Sequence, residues 1–461
     1  MSPLHPPATP AALPATARAL LRQIGALAAP TTVLSMLQVG AQLVETVLAA
    51  AQGTAALAGW AVLLPFALLL AQMSTGAMGG GVVAAVARAL GGQRRDEASA
   101  LVLHAMLIAT AGGLLFAVGV SVAAGPLVRA VAGADAAAQA VPYAWWLFGA
   151  GAVPAWWTNT LASVLRGGGQ HALAARILAL QWVAYPALAW ALASPVGMGL
   201  AGVGAAFALV NMAAAVVMLR LVQRGGAGFQ PGWRVQPSWE MFRRILQVGA
   251  VASGLALLSN LTTIIVTSQL RHLGPATVAA YGIAARLEFL VIPLAWGVGS
   301  ALTALVGRAV GAGDWARARR TAWLGGGLAL ACTTAIGLLV ALLPLQFAQL
   351  FTADAEVAAM AARALRYTGL AFGAFGLGMA MYFAAMGAQR MGAAVLAGFA
   401  RLGIATGLGW CLAHGFWGLG GWGGLGPDGH FIGVAMGLLA YGLISASGVR
   451  AGVWKPAAQP A

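Results

Sequence analysis

Acidic residues are scarce in this chain: only ten occur among 461 residues, and charged residues of both signs make up 8%. A water-soluble protein carries about a quarter charged residues, so this composition excludes an ordinary solvated surface. Cysteine is almost missing too. Cys332 and Cys411 both fall inside apolar runs, with neither metal-ligand spacing nor a disulfide framework. There is no Walker loop, which excludes ATP hydrolysis by this chain. No paired acids at hydrolase spacing and no Ser-His-Asp order occur, so no enzyme is indicated and no cofactor is called for. The first residues are rich in Ala and Pro without a basic region ahead of an apolar stretch, and they read as a disordered cytoplasmic tail over 1–22.

What is present is oil. The chain is 61% hydrophobic, with a mean hydropathy of +0.86. Twelve apolar segments are expected near 26–50, 57–83, 98–122, 140–163, 173–194 and 199–221, then 247–270, 277–305, 321–345, 362–386, 391–412 and 430–449. Each suits a helix crossing a hydrocarbon layer about 30 Å thick, which takes about 20 residues. The formal net charge of +15 is scattered through short connections rather than gathered into a patch, which argues for membrane topology and against nucleic acid. Twenty of the 25 basic residues sit in alternate connections. Only Arg129, Arg271, Arg363 and Arg366 sit in the others, and Arg286 falls inside a span. That bias predicts a multi-pass protein of the inner (plasma) membrane with both termini in the cytoplasm.

The longest cytoplasmic connection, 223–244, contains a glycine cluster, Pro231-Gly232, Trp233 and Trp239, and reads as a linker between halves at 23–222 and 245–450, with a second tail at 451–461. The halves repeat at about 220 residues. Val86-Ala-Arg88-Ala-Leu-Gly91 matches Val306-Gly-Arg308-Ala-Val-Gly311, and Gly167-Gly-Gly169-Gln170 falls opposite Met386-Gly387-Ala-Gln389. Six spans per half give both copies one orientation. The fold class is therefore all-α integral membrane, with twelve transmembrane helices in two six-helix lobes related by a pseudo-two-fold axis along the membrane normal.

Gln38, Gln42 and Glu45 lie at i, i+4 and i+7 of the first span, on one stripe of one helix. A carboxylate at bilayer depth costs about 2.5–3.5 kcal/mol on insertion scales, so it faces protein or water and is a functional candidate. Glu45 could instead be interhelical glue. In other spans, Asn159, Asn211 and Asn260 are either cavity groups or interhelical hydrogen-bonders. Most of the Trp residues, Trp60 among them, suit an interfacial belt, while Met36, Met73, Trp182 and Tyr185 could line a cavity for flat cationic or apolar guests. Glu288 is two residues from Arg286, so the two do not share a helix face and each needs another partner. The five histidines in or near spans show no ligand spacing, and Gly420–Gly426 reads as a flexible outer loop.

The order of these motifs resembles the multidrug and toxic compound extrusion (MATE) family from about Gln23 to Arg450. The first span is similar to a family helix in which a Gln, an Asn and an Asp stand where this chain has Gln38, Gln42 and Glu45, the Asp carrying the coupling proton or sodium. Leu165-Arg166-Gly167-Gly-Gly169-Gln170 resembles the family's turn after span four. Gly91-Gly-Gln-Arg94 and its twin after Arg308 resemble the glycine-rich turns after spans two and eight. In many relatives span five carries Asn-x-x-x-Asp-Pro; here it reads Gln181-Trp-Val-Ala-Tyr185-Pro186, without the second acid. Tyr281 to Glu288 is similar to the DNA-damage-inducible-type branch.

The resemblance implies a monomeric antiporter exporting small hydrophobic or cationic organic compounds. Its ion-coupling set would be Glu45, Gln42, Gln38, Tyr185 and Gln181, and its substrate cavity Met36, Met73, Trp182, Asn159, Asn211 and Asn260. Arg286 and Glu288 are the second-lobe candidates. One buried acid among amides suits a proton better than sodium, which prefers several hard oxygens. Two alternatives stand beside this reading: a lipid-linked saccharide flippase, for which Arg166, Arg286 and Arg308 would be needed, and a non-transporting receptor or scaffold.

Overall fold

The computed structural model describes residues 16–415, 424–450 and 454. The outer loop expected at Gly420–Gly426 and both expected tails fall largely outside the described residues. Among those described, every regular element is a helix. Eleven helices are long and apolar enough to cross a membrane: α1 (Ala17–Ala51), α2 (Thr54–Gly91), α3 (Arg95–Ala132), α5 (His171–Ala193), α6 (Leu200–Gln223), α7 (Trp239–Arg271), α8 (Pro275–Gly311), α9 (Trp315–Leu342), α10 (Ala355–Ala388), α11 (Gly392–His414) and α12 (Pro427–Ser447). The twelfth, α4, is assembled from Ala134–Ala144, a π-helical turn at Trp145–Ala150, and Ala152–Gly167. The Gly151 amide reaches back five residues to the Trp146 carbonyl at 3.0 Å, so the π turn carries the helix across the break. All twelve expected segments are thus helices, in the expected order.

Several boundaries lie outside the apolar runs because polar residues can extend a helix beyond hydrocarbon. The Thr16 side chain caps α1 by accepting from the Ala19 amide at 3.3 Å, so residues 17–22 of the expected tail are helical. With 35 residues, α1 is about 50 Å long at 1.5 Å per residue. The connection between halves is tied down rather than loose. Ser99 on α3 bonds the Gln230 carbonyl at 2.7 Å, and the buried His104 accepts the Ser238 amide at 2.9 Å, just before α7 begins at Trp239. Trp454 is buried, its carbonyl taken by Arg319 at 2.9 Å.

Each half has its own core, one around Trp60, Phe148 and Trp156, the other around Phe372, Phe375 and Phe431. The halves meet at the end bearing the arginine-rich connections, called here the basic end. There Ile24 and Ala28 at the start of α1 enter the core of the second half, and Ile245 of α7 enters that of the first.

The repeated motifs touch each other. A methyl on Gly91 would lie 2.1 Å from the Arg308 carbonyl oxygen, and one on Gly311 would lie 2.1 Å from that of Arg88. Two reciprocal contacts between equivalent residues are what a two-fold relation between α2 and α8 produces. Only glycine permits backbones this close.

Candidate functional site in the first half

Helix α1 turns its polar stripe into a cavity. Gln38, Gln42 and Glu45 line it with Leu64 and Thr75 of α2, Leu147 and Asn159 of α4, Gln181 and Trp182 of α5, and Phe207 and Asn211 of α6. From the second half, Trp296 of α8 closes one side. The helical spacing that groups the stripe in sequence also aims it inward, and the facing helices supply amides and aromatic surface.

Glu45 is the acid of this cavity, and its partners are hydrogen-bond donors. The Trp60 indole donates to Oε1 at 3.0 Å, and the Tyr143 hydroxyl donates to the same oxygen at 2.9 Å. Both donors are buried. The buried Tyr185 hydroxyl lies within electrostatic reach of Glu45 and Tyr143. Its ring sits edge-on to Trp182 at 5.9 Å and to Phe207 at 6.2 Å between centroids. Deeper in the lobe, Gln181 donates to the Asn211 side chain at 3.0 Å, and Asn211 donates to the Phe207 carbonyl at 2.9 Å. Gln181 Oε1 is buried without a partner.

Irregular backbone borders the cavity. Gln72–Ala77 of α2 is a π-helical turn, a feature frequent at functional sites. Within it, Ser74 accepts from Asn159 at 2.9 Å, joining α2 to α4. The π turn of α4 supplies Leu147.

Most of the remaining candidates lie elsewhere. Met36 is 55% exposed on α1, away from the cavity lining, and Met73 packs against the core of the first half. Asn260 of α7 meets Gln72 at 3.4 Å across the halves. Arg286 is exposed, and Glu288 pairs with Arg401 of α11 at 2.7 Å. Of the arginines considered for a phosphate-bearing cargo, Arg166 lines the cavity and Arg308 lies in the contact between halves. Two histidines without sequence spacing come together at the far end: the rings of His414 and His430 are 6.2 Å apart, with Trp410 stacked on His414 at 3.8 Å.

Sequence reasoning missed Tyr143 and assigned Trp60 to the interfacial belt. The available signal was general: a phenol or indole sunk in a span needs an acceptor, and Glu45 is the one acid within the first half's apolar segments.

Comparison with known proteins accords with this geometry. The MatE family model matches residues 252–411. The fold superposes on the Vibrio cholerae MATE transporter VcmN in its bent form, with a TM-score of 0.86 over 95% of this chain and 99% of that one, at 20% identity. The chain has the fold of the MATE transporters, and residues 252–411 match their family model. A MOP superfamily transporter from Pyrococcus furiosus matches this MATE fold with a TM-score of 0.85 at 21% identity, over 94% and 96% of the two chains. Among sequences, a probable multidrug resistance protein NorM of Rhodopseudomonas palustris is 33% identical over 207 residues, 44% of this chain and 42% of the relative. A NorM of Bradyrhizobium diazoefficiens is 27% identical over 259 residues, 53% of each. The matched stretch spans about half the length of these relatives.

Proposed function

We propose that this chain is a MATE-family secondary active antiporter that exports hydrophobic or cationic organic compounds through the first-half cavity, in exchange for protons loaded on Glu45. One observation carries the proton reading: the groups bonded to Glu45 are an indole N–H and a phenol O–H, both donors. Sodium needs several oxygen ligands offering lone pairs, whereas these donors hold one carboxylate oxygen and leave Oε2 to take a proton. The amides of Gln38, Gln42 and Gln181 can follow either charge state, because each offers both a donor and an acceptor. Proton uptake at Glu45 would loosen its two hydrogen bonds, releasing α1 from α2 and α4 and letting the halves rock. Pro30 within α1 provides a place to bend.

The arginine bias supports an inner-membrane protein with cytoplasmic termini, so the closed basic end is the cytoplasmic side and the cavity serves the outward-facing state. The Tyr281–Glu288 stretch supports the DNA-damage-inducible-type branch. The protein is taken to work as a monomer.

Proteoliposomes loaded with a fluorescent organic cation provide the test. A pH gradient should drive transport with no sodium gradient present. Transport driven by sodium alone at equal pH on both sides would replace the proton reading with a sodium one, and transport under neither gradient would remove the antiporter.

A further inference from the structure

Arg166, at the end of α4, is the most enclosed cation beside the cavity. It is 2% exposed, and its Nη2 has no hydrogen-bond partner. Among the described residues it enters no ion pair. What it does contact is the face of Trp296, from the other half, at 5.1 Å, and both side chains line the cavity. An imidazole and a second guanidinium stand behind it. The buried His171, whose Nδ1 has no partner, is within electrostatic reach of Arg166 and Arg308. Arg308 crowds Gly169 from the opposite half, and its Nε is also buried without a partner.

A guanidinium withdrawn from water carries a large desolvation penalty, and enclosed charges are ordinarily paired. Here two guanidiniums and an imidazole converge with no carboxylate among them. The aromatic face of Trp296 offsets only part of that penalty. Glu45 cannot act as the counter-ion. Its partner Tyr143 lies 23 residues before Arg166 along α4, roughly 35 Å at helical rise.

We propose that the inner end of the cavity, built on Arg166, binds an oxyanionic group, a carboxylate or a sulfonate, of an aromatic compound that occupies the cavity while the basic end is closed. A planar guanidinium with a free N–H edge matches such a group by paired, charge-assisted hydrogen bonds. The aromatic body of the ligand would lie against Trp296, Leu34 and Leu178, which share this lining. Because Trp296 and Arg308 belong to one half and Arg166 and His171 to the other, the pocket is complete only while the basic end is closed.

This inference rests on the cavity being the transport path, and three probes sharing one ring separate the two claims: 2-naphthoate, 2-naphthamide and 2-naphthylmethylammonium. Binding is measured by equilibrium dialysis on the full chain in phosphatidylcholine nanodiscs. Naphthoate should bind about tenfold or more tightly than the isosteric amide. Arg166→Gln should erase that preference, and Arg166→Lys should keep part of it. Equal binding of naphthoate and naphthamide to the unaltered protein overturns the proposal without any variant having to fold. A preference that survives Arg166→Gln overturns it as well. Loss of the preference on adding phosphatidylglycerol assigns the cationic site to a lipid headgroup and also overturns it. The ammonium probe reports on the antiporter reading instead: it should weaken in Glu45→Gln, and indifference to that change counts against the proposed function alone.

Discussion

At the scale of single residues, the account turns on what a lone acid in a span touches. Its helical stripe was legible because i, i+4, i+7 spacing depends on one helix only. Its donors were not, since Trp60 and Tyr143 reach Glu45 from other helices and nothing in their own spacing points at residue 45. The same limit explains Glu288. Spacing correctly separates it from Arg286, but finding Arg401, 113 residues away, takes a fold. Removing one donor from a carboxylate costs about 1.5–3 kcal/mol. Tyr143→Phe and Trp60→Phe should each lower the melting temperature of the purified protein accordingly. In a Glu45→Ala background the Tyr143→Phe penalty should largely vanish, because the hydroxyl has lost its acceptor. A penalty unchanged by Glu45→Ala would mean that the phenol stabilises through packing alone.

Elements were the most legible level. Hydrocarbon thickness fixes a minimum length for every span, so hydropathy alone locates twelve helices. It cannot see where polar turns continue a helix, as at the start of α1, or where a π turn interrupts one, as in α2 and α4. Those interruptions depend on neighbours: Ser74 in the α2 turn is held by Asn159. The repeated glycines were legible as a pattern but not as a contact. Gly91→Ala and Gly311→Ala would each force a methyl to about 2.1 Å from a carbonyl oxygen of the partner helix. Overpacking of this kind costs about 1–3 kcal/mol. Both substitutions should therefore raise thiol labelling of a reporter cysteine between α2 and α8 to a similar degree. Gly119→Ala, where a methyl meets nothing, should leave labelling unchanged. Strongly unequal effects of the first two would argue against the two-fold relation.

For the whole molecule, the two halves are closed at the basic end by a polar latch between them. Glu97 pairs with Arg244, Arg88 donates to Gln389, and Gln247 donates to the same Gln389 oxygen at 2.9 Å. Arg244→Glu places two carboxylates against each other and should shift the population toward opening at that end, read as faster labelling of a cysteine in the cavity by a reagent added on that side. The double exchange Glu97→Arg with Arg244→Glu should return labelling to near its original rate, and failure of that rescue would show that the pair does not hold the halves. The repeat at about 220 residues makes the two-lobe plan legible, and arginine counts a proposed orientation. The inward placement of Arg166 was not, since an arginine beside a Gly-rich turn looks like a loop residue until the second half covers it.

The most direct test of the central claim is substrate-driven proton movement into proteoliposomes, followed with an internal pH dye while an organic cation moves outward. The unaltered protein should acidify the lumen in step with substrate, and Glu45→Gln, folded by its melting curve, should abolish both fluxes. Proton movement that persists in Glu45→Gln with its coupling to substrate intact would contradict the account.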